Sequence, residues 1–297
     1  MQYHVDGTLV AAGETAVGAV GRGFAFGDAV TVPCRIYGGD PFAWEATLDR
    51  LETACDHFDL DPGLTDADLR ARVAETLRAN DLADALVELT VVRGGDEGAA
   101  ASSPTLTSIP TTDPSVVVAA SPLPRGGRDG TPVWDAPATL QTVKTRRISP
   151  EAVPESAYTH NRLDAVRARL ELRRAAVDGS PADEALMLDG AGRVAEGAAS
   201  TVFFVAGDAL RTPALDGPVT PRVYRDVVLD LAATEGLPVA EVRVAPADVR
   251  EADEAFLVNP TWELRPVASV DGIDVGGGPV TSLLSRLFDD RVDDDHY

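Results

Sequence analysis

The chain holds a single lysine, Lys144, among 26 basic residues. A lysine ε-amine is the group that condenses with a carbonyl to form a Schiff base, so any such chemistry must use Lys144 or no lysine at all. Further on, the stretch ESAYTHNRLDAVRARLEL (155–172) brings Tyr158, His160 and Asn161 close together in sequence. The Tyr158 phenol can serve as an acid or a base. His160 is the best placed of the four histidines for proton transfer, although helix capping or a surface position is the commoner use of such a residue. Cys34 and Cys55 are too few for a disulfide framework, and no metal site is expected.

The elements that must position these groups follow from periodicity and turn chemistry. Lys144 lies in ATLQTVKTRRIS (138–149), which reads as a strand; its lysine either faces solvent or runs into a site. In the helix that follows, Leu163, Val166 and Leu170 fall on one face and are expected to face the core. Upstream, an Asp6-Gly7 turn signals a hairpin. ATLDRLETACDHFDL reads as a helix with a stripe of Leu48, Leu51, Ala54 and Phe58. A second helix begins at Thr65, an N-cap with Asp68 as its acidic partner. ALVELTVVRGG and SVVVAASPL are strands, separated by a Ser, Thr and Pro-rich loop (96–113). PLPRGGRDGTP reads as a linker, so the expected division is a small N-terminal α/β domain over 1–122, a linker over 123–132 and a larger α+β domain over 133–297. In the second part, residues 183–213 alternate strands with turns. TPRVYRDVVLDLAATEG is a helix with Thr220 expected as N-cap, Pro221 at its first position and Gly236 just past its end. Hairpins mixed with helices imply an α+β fold with mostly antiparallel sheets.

Charge bounds the partners. Asp and Glu number 48, giving a formal net charge of −22. Such a surface repels nucleic acid and anionic membrane, and neither is an expected partner. Near-complete loss of lysine beside this acidity resembles the composition of proteins from salt-loving organisms; a GC-rich genome is the plainer source of the same bias. Mean hydropathy is −0.03, that of a globular chain. No apolar run has membrane-spanning length and the N-terminus carries no signal-peptide pattern, so a cytoplasmic location is the default.

Six segments in order carry a resemblance: RGFAFGDAV (22–30), TLDRL (47–51), NRLDAVRARLELRRA, DEALMLDGAGRVAEGAASTVFFV, TPALDGPVTPRVYRDVVLDLA, and EADEAFLVNP with RPVASVDG. Together they resemble the fold-type IV (class IV) pyridoxal-phosphate aminotransferases, a group that includes branched-chain and D-amino-acid transaminases and aminodeoxychorismate lyase. The resemblance implies a two-domain fold-type IV architecture, pyridoxal 5′-phosphate as cofactor, a small amino-acid or amino-deoxychorismate-type substrate, and a homodimer. It places Arg50 at the family's phosphate-binding arginine and Glu196 at the partner of the pyridine nitrogen, both lining one pocket. Their ordinary roles would be a helix-surface arginine and an exposed strand carboxylate.

The departures cluster around the same cofactor. Tyr158 stands where the family has its Schiff-base lysine, and a phenol cannot form an imine. Its side chain is expected to point where that lysine points. Arg222, Val223 and Tyr224 replace a Gly-Ile-Thr at the phosphate helix, and Thr261, beside Pro260 in NPTW, falls at the second phosphate-side hydroxyl. TVP (31–33) replaces a further motif. Lys144 is the remaining candidate for an imine. Two readings stand: a class IV transaminase or lyase with a divergent site, and a non-catalytic or cofactor-independent member that binds a small anionic ligand or a partner.

Self-repulsion at net charge −22 should weaken the fold in dilute buffer and be screened by salt. Thermal midpoints are therefore expected to rise from dilute to molar salt; a flat or falling series would refute an adaptive role for the acidity.

Overall fold

The Asp6-Gly7 turn joins β1 (Gln2–Val5) to β2 (Thr8–Ala11). Both turn residues have positive φ, 46° and 89°, as a two-residue hairpin turn of the right-handed twist requires. These strands belong to a computed structural model of the protein, which describes residues 1–14, 21–94, 114–126, 133–176 and 179–297. The expected loop over 96–113 and most of the expected linker lie outside the described residues.

The chain divides into two compact units. The first holds Met1–Pro124, Ser156–Asn161 and His296–Tyr297; the second holds Arg125–Glu155 and Arg162–Asp295. The contiguous division expected from composition thus misses two short segments, 156–161 and 296–297, which return to the first unit.

In the first unit, RGFAFGDAV folds as a one-turn helix, α1 (Arg22–Phe26), leading into β3 (Ala29–Tyr37). Arg22 and Arg93 clasp Asp28 between them at 2.7 and 3.1 Å. β4 (Asp40–Pro41), β5 (Ala85–Val92) and β6 (Ser115–Pro122) complete a six-stranded sheet in the order β2-β1-β6-β5-β3-β4, antiparallel at every pairing. Val30, Val32, Cys34 and Ile36 alternate on one face of β3, and Ala85, Val87, Leu89 and Val91 on the same face of β5. This face packs on α2 (Trp44–Asp56) through Leu51, Ala54 and Cys55, and on α3 (Asp66–Asn80) through Leu69, Val73 and Leu77. α3 starts as the sequence indicates. The Thr65 hydroxyl accepts from the Asp68 N–H at 3.2 Å, and the Asp68 carboxylate accepts from the Thr65 N–H at 3.0 Å.

The second unit is built on a nine-stranded mixed sheet. Its strands are β7 (Ala138–Arg146), β8 (Glu184–Leu188), β9 (Val194–Gly197), β10 (Thr201–Ala206), β11 (Ala209–Pro213), β12 (Val239–Val242), β13 (Glu254–Asn259), β14 (Glu263–Val270) and β15 (Ile273–Asp274). Their order is β12-β11-β10-β13-β14-β7-β8-β9, with β15 paired to β14. Pairings are antiparallel except β11/β12, β14/β7 and β7/β8. The helices are α4 (Leu163–Ala175), α5 (Val223–Thr234), α6 (Pro246–Arg250) and α7 (Pro279–His296). An α+β fold with antiparallel-rich sheets is what the turn and periodicity signals indicate.

Two local expectations are corrected. Leu163, Val166 and Leu170 do not face the core: they are 63%, 51% and 37% exposed. The buried positions of α4 are Asp164, Ala168 and Leu172. Small residues at 165 and 168 let the helix approach the sheet, and Asp164 and Glu171 serve donors that β7 and its continuation present; polar pairing outweighs the larger apolar stripe. Nor is Thr220 an N-cap. α5 begins three residues later, after Arg222, because the Thr220 hydroxyl and N–H are both taken by a carboxylate in β9.

Replacing Thr65 by alanine removes the cap and should cost about 1 kcal/mol in denaturant unfolding. A loss near zero would show that α3 is held by packing alone.

Candidate functional site

β9 carries Glu196 into the interior of the second unit, 1% exposed. The neighbouring residue has to be glycine: a Cβ on Gly197 would lie 2.3 Å from the Ser200 hydroxyl and 3.0 Å from the Glu184 side chain. That close approach lets Glu184, itself fully buried, accept from the Ser200 hydroxyl at 2.9 Å and the Ala199 N–H at 3.2 Å, which fixes the turn after β9.

A carboxylate in this position needs compensation, and four donors supply it. The Thr220 hydroxyl donates to Glu196 Oε1 at 2.8 Å and Arg147 Nη2 lies 3.0 Å from the same oxygen. The Thr220 N–H donates to Oε2 at 3.3 Å and Arg222 Nη2 at 3.1 Å. Arg147 is braced in turn. Its Nη1 donates to Asp164 at 2.5 Å, its Nη2 pairs with Glu155, and its own N–H donates to the carbonyl of Leu188 at 3.0 Å. Asp164 also accepts from the Ile148 N–H at 3.3 Å. Two guanidiniums therefore face three carboxylates within one buried cluster.

The electrostatics divide the carboxylates. Burial pushes the Glu196 carboxyl up, but Arg222, Arg147 and the two Thr220 donors outweigh it and hold it below the usual carboxylate value. For Glu155 burial wins: Arg147 opposes it, but Glu196 and Asp164 add to it, and the pKa is raised. Arg147 is raised too, since the three carboxylates overcome its own burial. Glu155 is thus the member that takes a proton first, which leaves the cluster neutral.

Lys144 lies on β7, between Thr142 and Arg146, where the pairing with β8 shifts register. Val143 packs with Ala168 and Leu172 of α4, and the Thr145 hydroxyl and N–H donate to Glu171 of α4 at 3.0 Å. Arg147 also faces α4, through Asp164, and reaches Glu196. The Lys144 charge bears on Glu171 of α4. Lys144 is exposed; its backbone N–H donates to Glu171 at 2.7 Å.

The other sequence candidates are placed as follows. Val223 and Tyr224 open α5 and are buried, the Tyr224 ring 5.6 Å from that of Phe288. Thr261 is exposed in a turn whose N–H groups, its own and that of Trp262, donate to Asn259 at 2.9 and 2.7 Å. In the first unit, Arg50 is half-buried on α2. Tyr158 is 4% exposed, has a positive φ of 42°, and joins that unit's apolar core. Its carbonyl accepts from the Thr31 N–H at 2.9 Å, and the His160 N–H donates to Ala29 at 2.8 Å, so residues 158–160 lie along the start of β3. His160 Nδ1 is 2.8 Å from the Thr31 hydroxyl, which lies 3.0 Å from that of Thr90. The structure therefore gathers Glu196 and Arg222, with Arg147, Glu155, Asp164 and Thr220 added; among the described residues, Lys144 is not an ion-pair or hydrogen-bond partner of this cluster. Among the described residues no cluster has the makings of a metal site, and no helix is long and apolar enough to cross a membrane.

Comparison with known proteins adds a pedigree. A model of the class IV amino-transferase family matches residues 33–270. A putative branched-chain-amino-acid aminotransferase of Methanocaldococcus jannaschii is 31% identical over 98% of this chain and 96% of its own. A D-alanine aminotransferase of Listeria innocua is 28% identical over 98% of this chain and 96% of its own. In structure, the branched-chain aminotransferase of the thermophilic archaeon Thermoproteus uzoniensis, solved with norvaline, superposes with a TM-score of 0.85 at 25% identity, covering 98% of this chain and 94% of the other.

The charge cluster makes opposite predictions for its two glutamates. Glu196, with a lowered folded pKa, contributes stability that is present above its unfolded value and lost as pH falls through the folded one. Glu196→Gln should cost about 3–5 kcal/mol near pH 7, less under acid. Glu155, with a raised folded pKa, has stability that is full below its unfolded value and lost as pH rises through the folded one. Glu155→Gln, which mimics the protonated form, should gain over wild type near neutrality and lose that gain below about pH 4. Melts of both variants across this range check the assignment; equal and pH-independent effects would overturn it.

Proposed function

Because the chain belongs to the class IV amino-transferase family, we propose that it acts on a small amino-acid or amino-deoxychorismate-type molecule without a lysine-bound pyridoxal phosphate. The observation that carries this reading is the setting of Lys144. It is the chain's one lysine, it is exposed, and its charge bears on Glu171 of α4. Glu196 itself has its acceptor positions filled by protein donors. These residues do not fit a pyridoxal phosphate bound as an imine with its ring nitrogen on Glu196.

What remains is a set of groups suited to a non-covalent acid. Arg50 is the proposed receiver of the ligand's anionic group. His160 is the proposed proton carrier: Thr31 engages Nδ1, which orients the ring and leaves Nε2 as its other proton-bearing atom. Tyr158, in this reading, keeps the position of the family's lysine and holds the 158–160 segment through core packing, with no covalent role.

A second reading, a pyridoxal-phosphate transaminase or lyase, is favoured by the relatives, whose match runs over nearly the whole chain. One experiment separates the two. Protein incubated with pyridoxal 5′-phosphate is reduced with borohydride and its peptides weighed, in parallel with a visible spectrum. The expected result is no imine band and no phosphopyridoxyl mass on the Lys144 peptide. A band that is lost in Lys144→Ala, with the mass found on Lys144, would establish the second reading.

A further inference from the structure

A chain without a reactive lysine could still hold the cofactor's ring by its nitrogen, so the state of Glu196 is a separate question from that of Lys144. A carboxylate accepts about four hydrogen bonds. Glu196 receives three, from the Thr220 hydroxyl on Oε1 and from the Thr220 N–H and Arg222 on Oε2, and Arg147 Nη2 takes the remaining place as an ion pair 3.0 Å from Oε1. A protonated ring nitrogen would be a fifth donor and would have to displace one of them.

The four are not held equally. Arg147 is also bound to Asp164 and Glu155, and its strand N–H to Leu188. Thr220 reaches Glu196 through both its hydroxyl and its backbone, in a segment fixed by the Arg222 N–H on the Thr220 carbonyl at 2.9 Å. The Arg222 guanidinium, among the described residues, has Glu196 as its ion partner and a buried Nε with no acceptor. Arg222 is also the residue before α5, with φ −74° and ψ 141° and no capping side chain of its own. Its extended backbone and 9% exposure are those of a side chain folded inward onto Oε2.

We infer that Arg222 is an internal plug: its guanidinium occupies on Glu196 the place that a cationic pyridine ring would take, and closes that seat to phosphorylated pyridines. The plug matches the incoming group in charge and donor, so Glu196 keeps its compensation and the fold needs no cofactor. Removing it leaves Arg147 as the counter-charge, which keeps Glu196 ionised and able to accept from a ring.

Pyridoxine 5′-phosphate is the probe, because it carries the ring nitrogen and phosphate but has no aldehyde and forms no imine. Calorimetric titration of the full-length wild type is expected to show no binding up to ~1 mM. Arg222→Ala should bind at least about tenfold more tightly, a gain of about 1.4 kcal/mol. Adding Glu196→Gln to that variant should abolish the gain. Arg222→Met keeps most of the side-chain volume and serves if the alanine variant fails to fold. Micromolar binding by wild type overturns the inference, and so does a folded Arg222 variant with no gain. An imine trapped on Lys144 would instead refute the proposed function, which rests on the absence of a lysine-bound cofactor.

Discussion

A carboxylate withdrawn from water must be met by positive charge and by donors, and in this protein that demand falls on Glu196. Meeting it draws together parts of the chain that are far apart in sequence: Arg147 just after β7, Asp164 in the first turn of α4, and Thr220 with Arg222 on the approach to α5. Breaking any one pair would leave a charge buried without its partner, so the four segments are constrained as a group. The surplus negative charge is absorbed by Glu155, whose raised pKa lets the cluster become neutral without any member moving.

The same demand explains the two places where local pattern and structure part. A helix that turned Leu163, Val166 and Leu170 inward would have turned Asp164 out and left Arg147 short of a carboxylate. A helix that started at Thr220 would have spent that hydroxyl on its own backbone. In the second case a capping preference worth about 1 kcal/mol yields to the compensation of a buried ion, whose loss costs several times more.

What was legible in the sequence is what short-range physics decides. The hairpin at Asp6-Gly7, the Thr65 and Asp68 capping box, and the alternation of β3 and β5 are each fixed by residues a few positions apart or by a period of two. Family motifs singled out both Glu196 and Arg222 as candidates. Their mutual engagement was not legible, because it bridges a separation of 26 residues through strand and turn. Arg147 gave no signal at all: a basic residue after a strand looks like any solvated charge until Asp164 and Glu196 are brought to it. Glu171 is a similar case. It satisfies N–H groups at the end of β7, where pairing with β14 has already stopped, and nothing in its helical spacing announces that use.

The outer face of α4 has a consequence of a colloidal kind. Leu163, Val166 and Leu170 form an exposed greasy strip on a molecule of net charge −22. In dilute electrolyte two such molecules are held off by their like charge before the strips can touch. The range of that repulsion shrinks from about 10 Å at 0.1 M salt to about 3 Å at 1 M, the scale of a single side chain. Concentrated salt therefore acts twice and in opposite senses: it relieves strain within each molecule while stripping away the barrier between molecules.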